Sequence, residues 1–148
     1  MSGFVVIYER SNKPVDCVRF ECAISKLSHR GPDGHHVFID KNIAMGHWHF
    51  WTTPEEVGEK QPLELSALPF RLVFDGRLDN RLELFQKLNI SEADGASLSD
   101  AVLVLHAYDR WKEQCFEHFI GEFALVLFDE QKHQLVCARD QLGDRTLF

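Results

Sequence analysis

An α+β fold with antiparallel sheets and helices packed outside them is predicted by three features of the sequence. Strand-type and helix-type segments come in blocks rather than in strict alternation. Two pairs of strand-type runs read as hairpins, one across Asp40-Lys41-Asn42 and one across Glu130-Gln131-Lys132-His133. The chain has 148 residues, 45% hydrophobic and 26% charged, enough for a single domain with a real core and too few for two ordinary ones.

Taken in order, Phe4-Val5-Val6-Ile7-Tyr8 is a continuous apolar run of strand type directly behind Met1-Ser2-Gly3. Ser11-Asn12-Lys13-Pro14 ends it and opens a helix, with proline in the first turn. Cys17, Phe20, Ile24 and Leu27 then recur on one helical face. Val37-Phe38-Ile39 is a short strand, and Ile43 to Trp51 is its partner. Thr52 to Leu63, with two prolines, a glycine and several acids, is a loop. Phe70 to Phe74 is a strand that Asp75-Gly76 should end as a turn. Asn80 is placed to cap a helix carrying Leu82, Phe85 and Leu88. Ser91 to Ser99 is a polar loop. Ser97-Leu98-Ser99-Asp100 has capping-box spacing before a helix with Val104, Ala107, Tyr108, Trp111 and Cys115 on one face. Phe123 to Asp129 and Leu135 to Ala138 form the closing hairpin. There is no internal repeat and no low-complexity tract. An apolar end directly after a glycine turn suggests a parent chain that continues past Phe148.

The net charge of −7 argues against nucleic acid or an anionic membrane as the main partner. No basic block and no long apolar span is present. Cys17, Cys22, Cys115 and Cys137 follow no metal spacing and lie in apolar patterns, so buried free thiols in the reducing cytoplasm are expected.

The densest stretch chemically is His29-Arg30-Gly31-Pro32-Asp33-Gly34. Its two turn dipeptides hold the backbone still, and Arg30 offers a planar fork of donors suited to a carboxylate. His47-Trp48-His49 places two imidazoles on one face of a strand, but no third ligand is visible and no metal site is expected. His35-His36 is a weaker pair still.

These stations together resemble the class II glutamine amidotransferase domain of asparagine synthetase-like enzymes. The matching ones are the near-terminal strand after Ser2-Gly3, the hexapeptide at 29–34, Gly46-His47 and Gln61-Pro62-Leu63. Asp75-Gly76 with Asn80, Ser99-Asp100, Gly121-Glu122-Phe123-Ala124 and Arg139-Asp140-Gln141-Leu142-Gly143-Asp144-Arg145-Thr146-Leu147-Phe148 complete the series. The resemblance covers residues 1–148. It implies the N-terminal nucleophile (Ntn) hydrolase-type four-layer sandwich, two antiparallel sheets between helix layers. It further implies an ATP-dependent synthetase domain as C-terminal partner in the parent chain. ATP and Mg would belong to that domain, with no cofactor in this one, and homodimerisation is a further option.

In that family residue 2 is a cysteine exposed by loss of the initiator methionine; its amine is the base and its thiolate attacks the glutamine amide. Here Ser2 stands at that position, a far weaker nucleophile. His49 replaces an arginine that grips the glutamine carboxylate, exchanging a bidentate fork for a mostly neutral ring. Asp75 replaces the oxyanion-hole asparagine beside Gly76, and losing one such donor costs on the order of 100- to 1,000-fold in rate. Arg77 replaces a glutamate near the substrate ammonium, where an attraction of roughly 4 kcal/mol at about 4 Å would change sign. Arg30 and Asp100 match the family pocket, although Asp100 is equally suited to a helix N-terminus.

Four losses at one pocket imply a shell that has outlived its glutaminase, a condition that β-lactam synthetases and lasso-peptide cyclases share. Three functions follow: an inactive scaffold for the synthetase domain, a Ser2-dependent hydrolase or amidotransferase acting on glutamine or a related amide, and a non-enzymatic amino-acid sensor. Asp75 and Arg77, if they face each other, would fill the old cleft with an ion pair.

Overall fold

A computed structural model describes residues 1–148. Strand β1 (Gly3–Tyr8) is followed by helix α1 (Cys17–Ser25) and the hairpin β2 (His35–Asp40) and β3 (Ile43–Trp48). The two-residue strand β4 (Leu63–Glu64) and the long strand β5 (Phe70–Leu78) come next, then helices α2 (Arg81–Leu88), α3 (Glu92–Gly95) and α4 (Asp100–Trp111). The hairpin of β6 (Gly121–Asp129) and β7 (Gln134–Arg139) ends the regular structure. Two antiparallel sheets result, one ordered β1-β3-β2 and the other β4-β5-β6-β7.

The alternation of side chains along each strand sorts the molecule into four layers. Phe4, Val6 and Tyr8 of β1, with Ile43 and Met45 of β3, meet Val73, Val126 and Phe128 of the second sheet in a thin apolar layer between the sheets. Val5 and Ile7 point the other way and pack with Ala44 under Phe20 and Ile24 of α1. Behind the second sheet, Leu72, Leu125 and Leu127 join Leu84, Leu103 and Tyr108 of α2 and α4 in the largest core, 18 buried residues. This is the α+β sandwich expected from the sequence, with β1 on the apolar run Phe4 to Tyr8 and β5 on the alternating run Phe70 to Phe74.

Local expectations differ at several points. Helix α1 starts at Cys17, not at Pro14, because the Asp16 side chain accepts the Arg19 amide and caps it there. Asn80 stands at the N-cap of α2 as expected, but its side chain makes no capping bond; its amide donates to the His118 carbonyl and its Oδ1 accepts the Ile120 amide. In that helix Leu84 and Phe85 are buried while Leu82 is exposed. Ser99, not Ser97, caps α4 by accepting the Val102 amide. The polar stretch after Ile90 contains the single-turn helix α3. Of the four cysteines, all free thiols, Cys115 is buried but Cys17, Cys22 and Cys137 are exposed, a correction to the expected burial. Each has an apolar neighbour in sequence, Val18, Ala23 and Val136, but the faces they occupy are outward.

The most consequential difference is at Asp75-Gly76. The dipeptide is not a turn: β5 runs through it, with Asp75 opposite Ala124 and Gly76 opposite Phe123. A Cβ on Gly76 would meet the Glu122 carbonyl oxygen at 2.2 Å, so glycine serves close strand contact rather than chain reversal.

Candidate active site

Ser2, His49, Asp75 and Gly76 come together around a cleft of about 250 Å³ at the end of β1. The elements that place them are the start of β1, the chain just past β3, and the middle of β5. The loop from Thr52 to Gln61 covers one side. Its geometry is held from within: Glu56 Oε2 accepts the Thr52 amide at 2.7 Å and the Thr53 amide at 3.2 Å. Gln61 lies beneath it, its Oε1 accepting the Phe74 amide at 2.7 Å and its Nε2 donating to Glu59 at 2.9 Å. Glu59 also accepts the Ser99 hydroxyl. Burial pushes the Glu59 carboxyl up, against the pull of its bonds from Ser99 and Gln61.

The hexapeptide positions β3's continuation rather than a ligand. His49 donates its amide to the Gly34 carbonyl at 2.8 Å, and Asp33 accepts the Trp51 amide at 2.9 Å. Gly31 is pressed so closely on the same segment that a Cβ would lie 2.4 Å from the Trp48 carbonyl carbon. Arg30 does not line the cleft. It lines an adjoining cavity of about 730 Å³, which shares Met1, Ser2, Asp75 and Arg145 with the cleft, and its side chain lies against Gly3.

His49 belongs to a chain of three imidazoles whose tautomers the geometry fixes. His47 Nε2 lies 3.1 Å from the Phe74 carbonyl and must donate to it. The neutral ring's Nδ1 is then an acceptor, so His49 Nδ1, 2.9 Å away, donates. His49 Nε2 accepts in turn from His36 Nδ1 at 2.9 Å. Both nitrogens of His49 are thus occupied within the protein. Burial lowers the His47 pKa to about 3 and the His49 pKa to about 4, and the other rings add to both. No three side chains of metal-binding type converge on one point.

Ser2 is buried, and its Oγ accepts the Phe50 amide at 3.1 Å. Beside it, burial pushes the Asp75 carboxyl up, while Arg145, the Met1 ammonium, Arg30 and the Ser2 backbone N–H draw it down. Arg145 Nη1 stands 3.7 Å from Asp75 Oδ2. The partner of Asp75 is therefore Arg145 and not Arg77. Arg77, two residues further along β5 and outside the cleft, is two-thirds exposed and paired with Asp79 at 2.7 Å, so the expected Asp75–Arg77 ion pair does not form. The two residues are separated along a strand instead of folding across a turn.

Asp100 also leaves the cleft. Its Oδ2 accepts the Leu78 amide at 2.8 Å and its Oδ1 pairs with Arg81, which additionally donates to the Leu98 carbonyl at 2.7 Å. Burial raises the Asp100 carboxyl, with Leu78 and Arg81 opposing. Trp51, Glu59 and Arg145, which the sequence did not mark as site residues, help build the site, as does His36, read only as half of a weak histidine pair. His36 was readable only from register, since the β2–β3 hairpin sets it opposite His47. Arg145 stood in the last motif of the chain, but nothing in its spacing showed which way the guanidinium would turn.

The geometry and the known proteins agree on the lineage. The family model for the glutamine amidotransferase domain matches residues 1–148. A glutamine-hydrolysing asparagine synthetase of Bacillus subtilis is 32% identical over 124 residues, covering 82% of this chain and 20% of that protein. A putative asparagine synthetase of Methanocaldococcus jannaschii is 29% identical over 140 residues, 82% of this chain and 27% of its own length. An amidase of Gibberella zeae is 28% identical over 130 residues. In fold, the chain is similar to glutamine phosphoribosylpyrophosphate amidotransferase of B. subtilis, with a TM-score of 0.68 over 95% of this chain and 37% of that one at 18% identity. The chain thus spans a minor part of each relative it matches, and it belongs to the class II glutamine amidotransferase domains of asparagine synthetase-like proteins.

Proposed function

We propose that this domain no longer hydrolyses glutamine and serves as the scaffold on which an ATP-dependent, amide-forming synthetase domain packs. The single observation that carries this reading is the state of Asp75. A carboxylate, tied to Arg145 across 3.7 Å, stands beside Ser2 where acyl transfer needs a hydrogen-bond donor. Repulsion of a developing oxyanion would add to the loss of the donor. The grips on an amino-acid substrate are gone as well: His49 has no free nitrogen, Asp100 is committed to Leu78 and Arg81, and Arg77 faces outward. The domain would act in the cytoplasm, with ATP and Mg confined to the synthetase partner. No helix here is long and apolar enough to cross a membrane.

The test is ammonia release from glutamine by the purified protein and by Ser2→Ala. No glutamine-dependent ammonia is expected from either. Ser2→Cys alone should stay silent too, because it restores the nucleophile without the oxyanion donor. Turnover that disappears in Ser2→Ala would replace the scaffold reading with a serine-dependent amidotransferase.

A further inference from the structure

The cleft and the adjoining cavity share a wall. Met1, Ser2, Asp75 and Arg145 line both the cleft of about 250 Å³ and the cavity of about 730 Å³, so these four residues stand together between the two. The strands put them there. Gly3 pairs with Trp48, which brings Ser2 level with His49, and His47 Nε2 donates to the Phe74 carbonyl at 3.1 Å, tying the same strand to the residue before Asp75. The Ser2 hydroxyl accepts the Phe50 amide, and its nitrogen faces the Asp75 carboxyl, which the Ser2 N–H and the Met1 ammonium both draw down. Asp75 is mostly buried, and its nearest side-chain cation, Arg145, stays at 3.7 Å, beyond hydrogen-bond length. A buried carboxylate without a close charged partner costs free energy, so the wall holds an acceptor in want of a cation.

We infer that Asp75 is the counter-ion of the chain's own amino terminus: once Met1 is removed, the Ser2 ammonium takes the Asp75 carboxylate as its partner in the wall of the cleft. Serine is small enough at residue 2 for an aminopeptidase to hydrolyse the Met1–Ser2 bond. That step leaves free methionine and a Ser2 amine, which takes up a proton at neutral pH. Its three donors then make charge-assisted bonds that the single amide N–H cannot. The other groups around it are already engaged. Glu56 accepts the Thr52 and Thr53 amides, Glu59 accepts from Ser99 and Gln61, and His49 is a neutral ring between His36 and His47. Arg145 and Arg30 are cations and compete with the ammonium for Asp75. The inference deepens the scaffold reading and rests on it: an amine held as a cation cannot take the proton of a neighbouring hydroxyl, so Asp75 removes the base as well as the oxyanion donor.

Intact mass and the rate of N-terminal acetylation by acetic anhydride, with the lysine side chains as internal reference, test this on the full chain. The mass should lack Met1. At pH 7 the Ser2 amine should react about 10-fold faster in Asp75→Asn than in the unsubstituted protein, because more of it is neutral. Arg145→Gln should act in the opposite sense and slow the reaction by about 2- to 5-fold, since Asp75 loses its competing cation. Both differences should fade near about pH 10, where the amine is neutral in every variant; a merely structural change would persist there. A retained Met1, equal rates at pH 7 in Asp75→Asn and the unsubstituted protein, or a difference that persists at high pH overturns the proposal. Ammonia from glutamine measured on the same samples separates the two readings: release defeats both, and silence with equal acetylation rates defeats the counter-ion assignment alone.

Discussion

At the N-terminus of α4, Asp100 accepts the Leu78 amide at 2.8 Å and pairs with Arg81; midway along β5, Asp75 has Arg145 at 3.7 Å as its nearest cation. Burial pushes both carboxyls up. One is built into the frame and the other stands in the opening of the cleft. The floor of the cleft, where α4, β5 and the Arg81 network meet, depends on its charge. The mouth of the cleft does not. A carboxylate bonded to a backbone amide and a guanidinium is held as part of the fold, whereas one that faces a cleft leaves the frame intact when it changes.

Three measurements bear on that contrast. Asp100→Ala should be the most damaging, destabilising the domain by about 3–5 kcal/mol in urea unfolding, because it strands both the Arg81 guanidinium and the Leu78 amide. A loss under 1 kcal/mol would erase the distinction between floor and mouth.

Acidification comes next. The folded-state pKa values of His47 and His49 lie near 3 and 4, below the ordinary value of 6.5 in the unfolded chain. Between those limits the unfolded state binds more protons, so stability falls as pH drops from 7 toward 4. At pH 5 the loss is about 2 kcal/mol per ring. Asp75 and Asp100, raised in the fold, act in the opposite direction, gaining stability as they take up protons at lower pH. His49→Asn, whose amide can replace the Nδ1 donor to His47, should flatten the slope between pH 7 and 5. An unchanged slope would show that the three-ring chain is not what titrates.

The smallest effect is expected at Arg77. Its pair with Asp79 is solvent-exposed, and Arg77→Ala should change stability by less than about 0.5 kcal/mol in urea unfolding. A loss above about 1 kcal/mol would give Arg77 a part in the frame that its exposed pair does not account for.

Much of this frame was legible in the sequence, because apolar periodicity and short turns are local signals. The strand at Phe4 to Tyr8 and the two hairpins lie where apolar runs and turn residues put them, although the partner strand expected to reach Trp51 stops at Trp48. The site was legible in part. Ser2, His49, Asp75 and Gly76 do line one cleft, but Arg30, Arg77 and Asp100 do not. Asp75-Gly76 misled because a turn dipeptide is a local preference, and pairing with β6 over nine residues outweighs it. Pro14 misled for a similar reason, since the Asp16 side chain offers a cap that proline does not. The destination of long side chains such as Arg145 and Arg81 is set by contacts distant in sequence, and no spacing rule reports them.

The first strand has a temporal consequence. During synthesis Gly3–Tyr8 leaves the ribosome long before Ile43–Trp48, the strand with which it pairs, Gly3 facing Trp48. For that interval Phe4-Val5-Val6-Ile7 is an unsheltered, adhesive β segment, so a chaperone engaging it, or a charge introduced at Val5, should alter the yield of folded protein more than any change made in the cleft.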